Sequence, residues 1–250
     1  MEDSKKNRKN KSKRLKKYPK IGGMSATKWN GAGIFLIEKY KLAGKKTRIP
    51  CLILFGQWKP VKNHPHNKYK YVYEEGGGGK DPGEKPWITA ARELKEESCN
   101  LFRLDKNKVQ SCPSILFRGY ICYSVNIESD KGIFSKNYYF NRDKIKNWHK
   151  NFKNVPHEWR ETDNMTRIPL SSFMTNDGKP NSRLKVSGDF KVNDINGKTI
   201  YIEGRCKRCI LASIEKGTIF TAPIFKLRFE SSFDYNKSPA YLKGTKTYYN

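Results

Sequence analysis

The stretch Gly78–Leu101, GGKDPGEKPWITAARELKEESCNL, decides how the rest of the chain is read. Pro86 suits the first position of a helix, where its missing N–H costs nothing. Trp87, Ala90, Ala91 and Leu94 then recur at i, i+3, i+4 and i+7, the stripe by which a helix packs on a sheet. Glu93, Glu96 and Glu97 stand at i, i+3 and i+4 and project together, roughly a third of a turn from that stripe. Like charges at this spacing destabilise an isolated helix by a few tenths of a kcal/mol per pair. A hard divalent cation with oxygen ligands offsets such repulsion. For a bare E-x-x-E-E, a solvated surface is the simpler explanation, so the surroundings must arbitrate.

Upstream, Tyr71-Val-Tyr73 reads as a strand that leads through Glu74 into four glycines, 76–79. By composition the glycines could be a flexible linker. Wedged between a strand and a charged helix, they read better as a loop giving backbone room for phosphates and metal. The order is therefore strand, glycine loop, helix.

The spacing resembles the signature of the Nudix hydrolase family, G-x5-E-x7-R-E-U-x-E-E-x-G-U, where U is a bulky aliphatic. Gly78 is the opening glycine, Glu84 the lone glutamate, Arg92-Glu93 the Arg-Glu pair, Leu94 the aliphatic, and Glu96-Glu97 the closing pair. The match departs at the end: Cys99 stands where the family has glycine and Asn100 where it has an aliphatic. Leu101 and the αL-tolerant Asn100 sit one place later, so a one-residue insertion at the helix exit is the simple expectation.

The resemblance implies an α/β/α sandwich, a mixed β-sheet between helices, and a Mg²⁺- or Mn²⁺-dependent pyrophosphohydrolase. It implies that Glu96 and Glu97 ligate metal, that Glu93 binds metal or acts as general base, and that a backbone carbonyl at Gly78 adds a ligand. Glu84 and Arg92 would fix loop and helix by ion pairing, Arg92 in contact with the catalytic set. Many members add a later carboxylate; Glu158 and Glu161 are available, and Glu161 is preferred. The substrate implied is a nucleoside diphosphate linked to another moiety. Capped RNA is one alternative, and a non-catalytic nucleotide- or nucleic-acid-binding protein of the same fold is another.

The chemistry suits those residues. Water attacking a phosphoanhydride meets a phosphorus ringed by negative oxygens. Metal neutralises that charge and lowers the pKa of bound water. Mg²⁺ keeps several waters, so a few carboxylates suffice.

The whole chain has 250 residues and a formal net charge of +27. A field of that sign attracts polyanions. An AT-rich genome, such as that of a large DNA virus or a protist, would also raise Lys, Asn, Ile, Tyr and Phe without any such partner. Residues 1–24 form a basic tail too polar to bury surface, expected to be disordered and able to contact RNA. A catalytic domain is expected over 25–220 and an extension over 221–250. No run approaches the ~20 apolar residues of a membrane span, and no secretory signal is evident, so a cytoplasmic (or nuclear) protein with no membrane contact is expected. Six cysteines then read as reduced thiols. Nothing in the sequence fixes an oligomeric state.

Strands are further expected over Trp29–Tyr40, Ile49–Phe55, Ser114–Phe117, Tyr120–Val125 and Thr199–Ile202, with an edge segment at Arg167–Phe173. Helices are expected over Lys144–Phe152 and Arg205–Lys216, and one more strand after about Thr221. Cys206 and Cys209 resemble half a zinc site, but both fall on an apolar stripe and read as core. His64 and His66 flank a proline in a surface turn. Trp58, Tyr69 and Tyr71 could stack on a base, although aromatics beside strands are more often core.

Overall fold

The computed structural model describes residues 28–41, 44, 46–61, 68–128, 143 and 161–226. The basic tail, His64, His66, Glu158, the expected helix 144–152 and residues 227–250 lie outside these. A ten-stranded mixed sheet runs in the order β10-β6-β1-β2-β3-β9-β8, with β4 paired to β1, β5 to β6 and β7 to β2. The strands are β1 (Gly31–Lys41), β2 (Arg48–Pro60), β3 (Tyr69–Glu74), β4 (Gly76–Gly79), β5 (Ser114–Phe117), β6 (Tyr120–Glu128), β7 (Thr162–Pro169), β8 (Phe190–Asn193), β9 (Thr199–Ile202) and β10 (Ile224–Lys226). Among the described residues, helices α1 (Pro86–Glu97), α2 (Lys106–Gln110) and α3 (Gly204–Glu215) accompany the sheet, with short 3₁₀ turns at Leu170–Phe173 and Ser182–Lys185.

Alternation along β1 and β2 explains the layers. Ile34, Leu36, Ile53 and Phe55 pack with Ala90, Ala91 and Leu94 of α1. Phe35, Ile37, Leu52 and Leu54, on the opposite face, pack with Cys206, Cys209, Ile210 and Ile214 of α3. Both faces of the central strands are buried, which is why they read as continuous apolar runs. The architecture is a mixed sheet between helices, as expected.

Several features differ from the sequence reading. Strand β2 continues past Phe55 to Pro60, because Gln57 and Lys59 are held by Glu74 rather than by apolar burial. The glycines form a strand, not a loop: Gly31, Ala32, Gly33 and Ile34 pair with Gly79, Gly78, Gly77 and Gly76. A side chain at Gly77 would run into the Tyr120 hydroxyl and the backbone of β1, so only glycine lets β4 lie this close. Trp58 and Tyr69 are not core; they are 61% and 57% exposed. Strand β8 and helix α2 are too short and polar to show a period. The described part of the C-terminal segment does contribute a strand, β10, parallel to β6.

The exit of α1 corrects a further expectation. Cys99 N–H bonds to Glu96 O at 3.0 Å and Asn100 N–H to Lys95 O at 2.7 Å, the paired bonds of a Schellman ending. Cys99 has φ 50° and Asn100 φ 63°. Cys99 therefore adopts the left-handed conformation that glycine would take at that place, and no insertion is needed. The full motif register is kept, with a thiol carrying the strain.

Candidate functional site

The site is assembled from the Asp81–Glu84 turn, β4 and α1. Pro82 and Gly83 (φ 81°) form the centre of the turn, closed by Glu84 N–H to Asp81 O at 3.1 Å, the pattern of a type II turn. This turn aims the Glu84 carboxylate back at α1. It accepts bonds from Asp81 N–H at 3.1 Å and from the Thr89 hydroxyl at 2.7 Å.

Arg92 is the hub. Its Nε and Nη2 grip the two oxygens of Glu84 at 3.0 Å each, and Nη2 also bonds the Gly79 carbonyl at 2.9 Å. Its Nη1 bonds Glu93 Oε1 at 2.8 Å and Glu96 Oε2 at 3.0 Å. The planar fork suits this: one guanidinium ties the turn, the glycine strand and two helix carboxylates into a rigid unit. Arg92 is 10% exposed, and the side chains of Glu84, Glu93 and Glu96 are 13% exposed each. The solvated-surface explanation of these acids fails on that enclosure.

Glu97 parts from its neighbours. It turns inward, fully enclosed, and accepts a bond from Gly77 N–H at 3.0 Å. Its own carbonyl accepts from the Thr162 hydroxyl at 2.5 Å, which ties β7 to the end of α1. Glu93 lies against Gly78, where a side chain would overlap its carboxylate. Glu161 is exposed at the start of this segment, and its charge reaches Glu93.

The protonation states follow from this packing. Burial raises the Glu84 carboxyl, but hydrogen bonds from Arg92, Thr89 and Asp81 together outweigh it and hold the group below its ordinary range. Burial pushes Glu93 up to about 7; the Arg92 charge opposes this, and the Glu96 and Glu161 charges add to it. Glu97 is raised well above its ordinary value, first by burial and then by the charges of Glu74 and Glu93.

Sequence reasoning missed a second, adjoining network. Glu74 and Glu75 are completely buried directly before the glycines. Glu74 accepts from Gln57 and Lys59, and Arg205 Nη2 lies 2.7 Å from Glu74 and 3.1 Å from Glu75. Glu203 N–H bonds Tyr73 O at 3.0 Å, which brings the start of α3, and so Arg205, to this point. The Arg205 guanidinium sits 3.8 Å from the centre of the Tyr120 ring. Two adjacent acids at the end of an apolar strand were a visible signal, since one must face inward; nothing in the spacing announced Arg205. All six cysteines are buried, and Cys206 and Cys209 belong to the core beneath α3.

The side chains available to a metal are all oxygen donors, Glu93, Glu96, Glu97 and Glu161; the Gly78 carbonyl, expected as a further ligand, turns instead toward β1 beside Gly31 because Gly78 pairs with Ala32. Among the described residues, no three acidic, histidine or cysteine side chains converge as a formed metal cage. Glu93 and Glu96 instead share Arg92 Nη1, so one cationic N–H bridges them.

No family model matches the sequence, and no curated protein does. Solved structures similar to this chain include Nudix/MutT-family proteins. One is a binary complex of the Ap4A hydrolase of C. elegans, with 17% identity over 56% of this chain and 80% of that chain, at a TM-score of 0.30. Another is a mutT/nudix family protein from Listeria innocua, with 14% identity over 57% of this chain and 78% of that one, also at 0.30. Values this low carry no weight for the chemistry, which stands on the geometry of the site.

Proposed function

We propose that this protein is a divalent-metal-dependent pyrophosphohydrolase of the Nudix type, cleaving a phosphoanhydride bond in a nucleoside diphosphate linked to another moiety. One observation carries the reading: α1 encloses its carboxylates around Arg92 and the glycine strand, where their mutual repulsion has no structural use. Burying like charges costs free energy unless they are paired or coordinate a metal. Arg92 supplies one positive charge for Glu84, Glu93 and Glu96 together.

The donor chemistry fits Mg²⁺ or Mn²⁺, which take carboxylate and carbonyl oxygen and keep waters of their own. Glu93, Glu96 and Glu97 would hold the ion, and Glu161 would complete the set. When bound, such an ion neutralises pyrophosphate oxygens and acidifies water. The chain's own residues do the rest. Arg92 fixes the carboxylates of Glu93 and Glu96 in place. Glu93 would take a proton from the attacking water. The β4 backbone, bare of side chains, leaves room for the phosphates.

The charge of +27 favours a polyanionic form of this substrate, and capped RNA is the version it supports. Deleting residues 1–20 should then weaken turnover on capped RNA, with a steep salt dependence, and spare small nucleotides. A screen of nucleotides, nucleotide sugars, dinucleoside polyphosphates and capped RNA tests the main reading. Hydrolysis of at least one that requires Mg²⁺ or Mn²⁺ and stops with chelator is expected. Specific nucleotide or RNA binding without hydrolysis of any would replace the proposal with the non-catalytic alternative.

A further inference from the structure

A cavity of about 370 Å³ opens beside β4, lined by Gly77, Gly78 and Gly79 and by Lys59, Arg118, Tyr120 and Arg205. That volume is within the range of small-molecule sites. Its cations are not equivalent. Lys59 and Arg205 are committed to Glu74 and Glu75. Arg118 is exposed, and among the described residues no carboxylate pairs with it. Among the described residues it is the uncompensated positive charge at the cavity.

The backbone singles out the same residue. Arg118 and Gly119 form the two-residue turn between β5 and β6, with φ 48° and 80°. Such turns require positive φ at both places and favour Asn-Gly or Gly-Gly. Arginine there is strained where glycine would not be, and strain of this kind points to a use for the side chain. The turn is also fixed in position. Asn30 N–H bonds Gly119 O at 2.8 Å, and Asn30 O accepts Lys80 N–H at 3.2 Å, joining the turn to the end of β4. Gly78 borders both the cavity and the Glu93 carboxylate, so the two adjoin across β4.

We propose that this cavity is an anion subsite in which Arg118 binds a phosphate of the substrate other than those of the bond that is cleaved, selecting nucleotides with a longer phosphate chain over nucleotide sugars. The planar fork matches a phosphate's oxygens bidentately, and Lys59 and Arg205, paired with Glu74 and Glu75, do not repel Arg118 strongly. The inference rests on the pyrophosphohydrolase reading for the word substrate, but not for the existence of the subsite.

The experiment compares the wild type with Arg118→Gly and Arg118→Lys. Glycine is at ease in this turn, so Arg118→Gly should melt at or above the wild-type temperature, and lost binding cannot then be blamed on misfolding. Inorganic tripolyphosphate, titrated calorimetrically, should bind the wild type at least tenfold more tightly than Arg118→Gly, with Arg118→Lys between. In steady-state kinetics, Arg118→Gly should raise KM for a dinucleoside tetraphosphate at least fivefold more than KM for a nucleotide sugar. Equal tripolyphosphate affinities, or equal KM changes for the two substrates, would overturn the subsite. Absence of all hydrolysis by the wild type would instead overturn the functional reading, while the tripolyphosphate titration would still decide the subsite.

Discussion

Helices α1 and α3 are twelve residues each and flank the same sheet, yet they are built by different rules. Helix α3 keeps local preferences at both of its ends. Glu203 caps its start, accepting the N–H groups of Arg205 and Cys206 at 2.6 and 2.9 Å. Its inner face is aliphatic and thiol, and it ends on Gly217 at φ 70°, where glycine costs nothing. Helix α1 violates the same preferences. Lys85 provides no side-chain cap, Cys99 takes the strained exit, and the carboxylates are enclosed. A chain that breaks local rules in one helix and keeps them in its twin is marking where function overrides stability.

Substitutions separate the two helices, beginning with the largest expected effect. Glu96→Gln or Glu97→Gln should lower kcat by about 10²–10⁴-fold, the scale of losing a metal ligand or a proton-transfer group, while the protein stays folded. Ile210→Ala in α3 should do the reverse, costing about 2–5 kcal/mol of stability with near-normal turnover in the folded fraction. If Glu97→Gln leaves turnover at the wild-type rate, the contrast between the helices dissolves.

Arg92→Ala comes next. It removes the shared cation from Glu84, Glu93 and Glu96 at once, and breaking an enclosed ion pair from one side costs about 3–5 kcal/mol. Chemical denaturation measures this directly; a loss below about 1 kcal/mol would mean that Arg92 is not the hub. Arg92→Lys should recover part of the stability but not the bidentate grip on Glu84.

The pH dependence is smaller. Glu93 is raised from 4.5 to about 7, so the folded protein keeps a proton that the unfolded chain releases between those values. Protons bound by the folded state are then in excess, and stability falls as pH rises through that window. In the presence of chelator, the melting temperature should drop from pH 4.5 to 7, and saturating Mg²⁺ should flatten the drop by binding the ionised form. A melting temperature that rises across the window without Mg²⁺ would contradict the packing of Glu93.

The smallest effect belongs to Cys99→Gly. It relieves about 1 kcal/mol of left-handed strain but forfeits the burial of a small thiol, so stability should move by no more than about 1 kcal/mol. Turnover should be unchanged.

Much of this was legible in the residues. The stripe Trp87–Ala90–Ala91–Leu94 and Pro86 placed α1, and the spacing from Gly78 to Glu97 placed the acids and Arg92 in one unit. What stayed hidden had no period to read. The β4 strand is invisible to propensity because glycine is a poor strand former, and only the approach of β1 and Tyr120 makes it the residue that fits. Gln57, Lys59 and Arg205 come from three distant segments and meet Glu74 through topology alone. The inward turn of Glu97 depends on the Gly77 N–H, which a helical wheel cannot show. Trp58 and Tyr69 were misread because strand aromatics are usually buried, and these stand at the outer end of β2 and β3.

The most direct test is an anomalous difference map from crystals of the wild-type protein soaked in Mn²⁺. A peak within coordination distance of at least two of Glu93, Glu96 and Glu97 is predicted, and it should vanish in Glu96→Gln/Glu97→Gln. A map without a peak there, with Arg92 still holding Glu93 and Glu96 at millimolar Mn²⁺, would contradict the metal-dependent reading of the site.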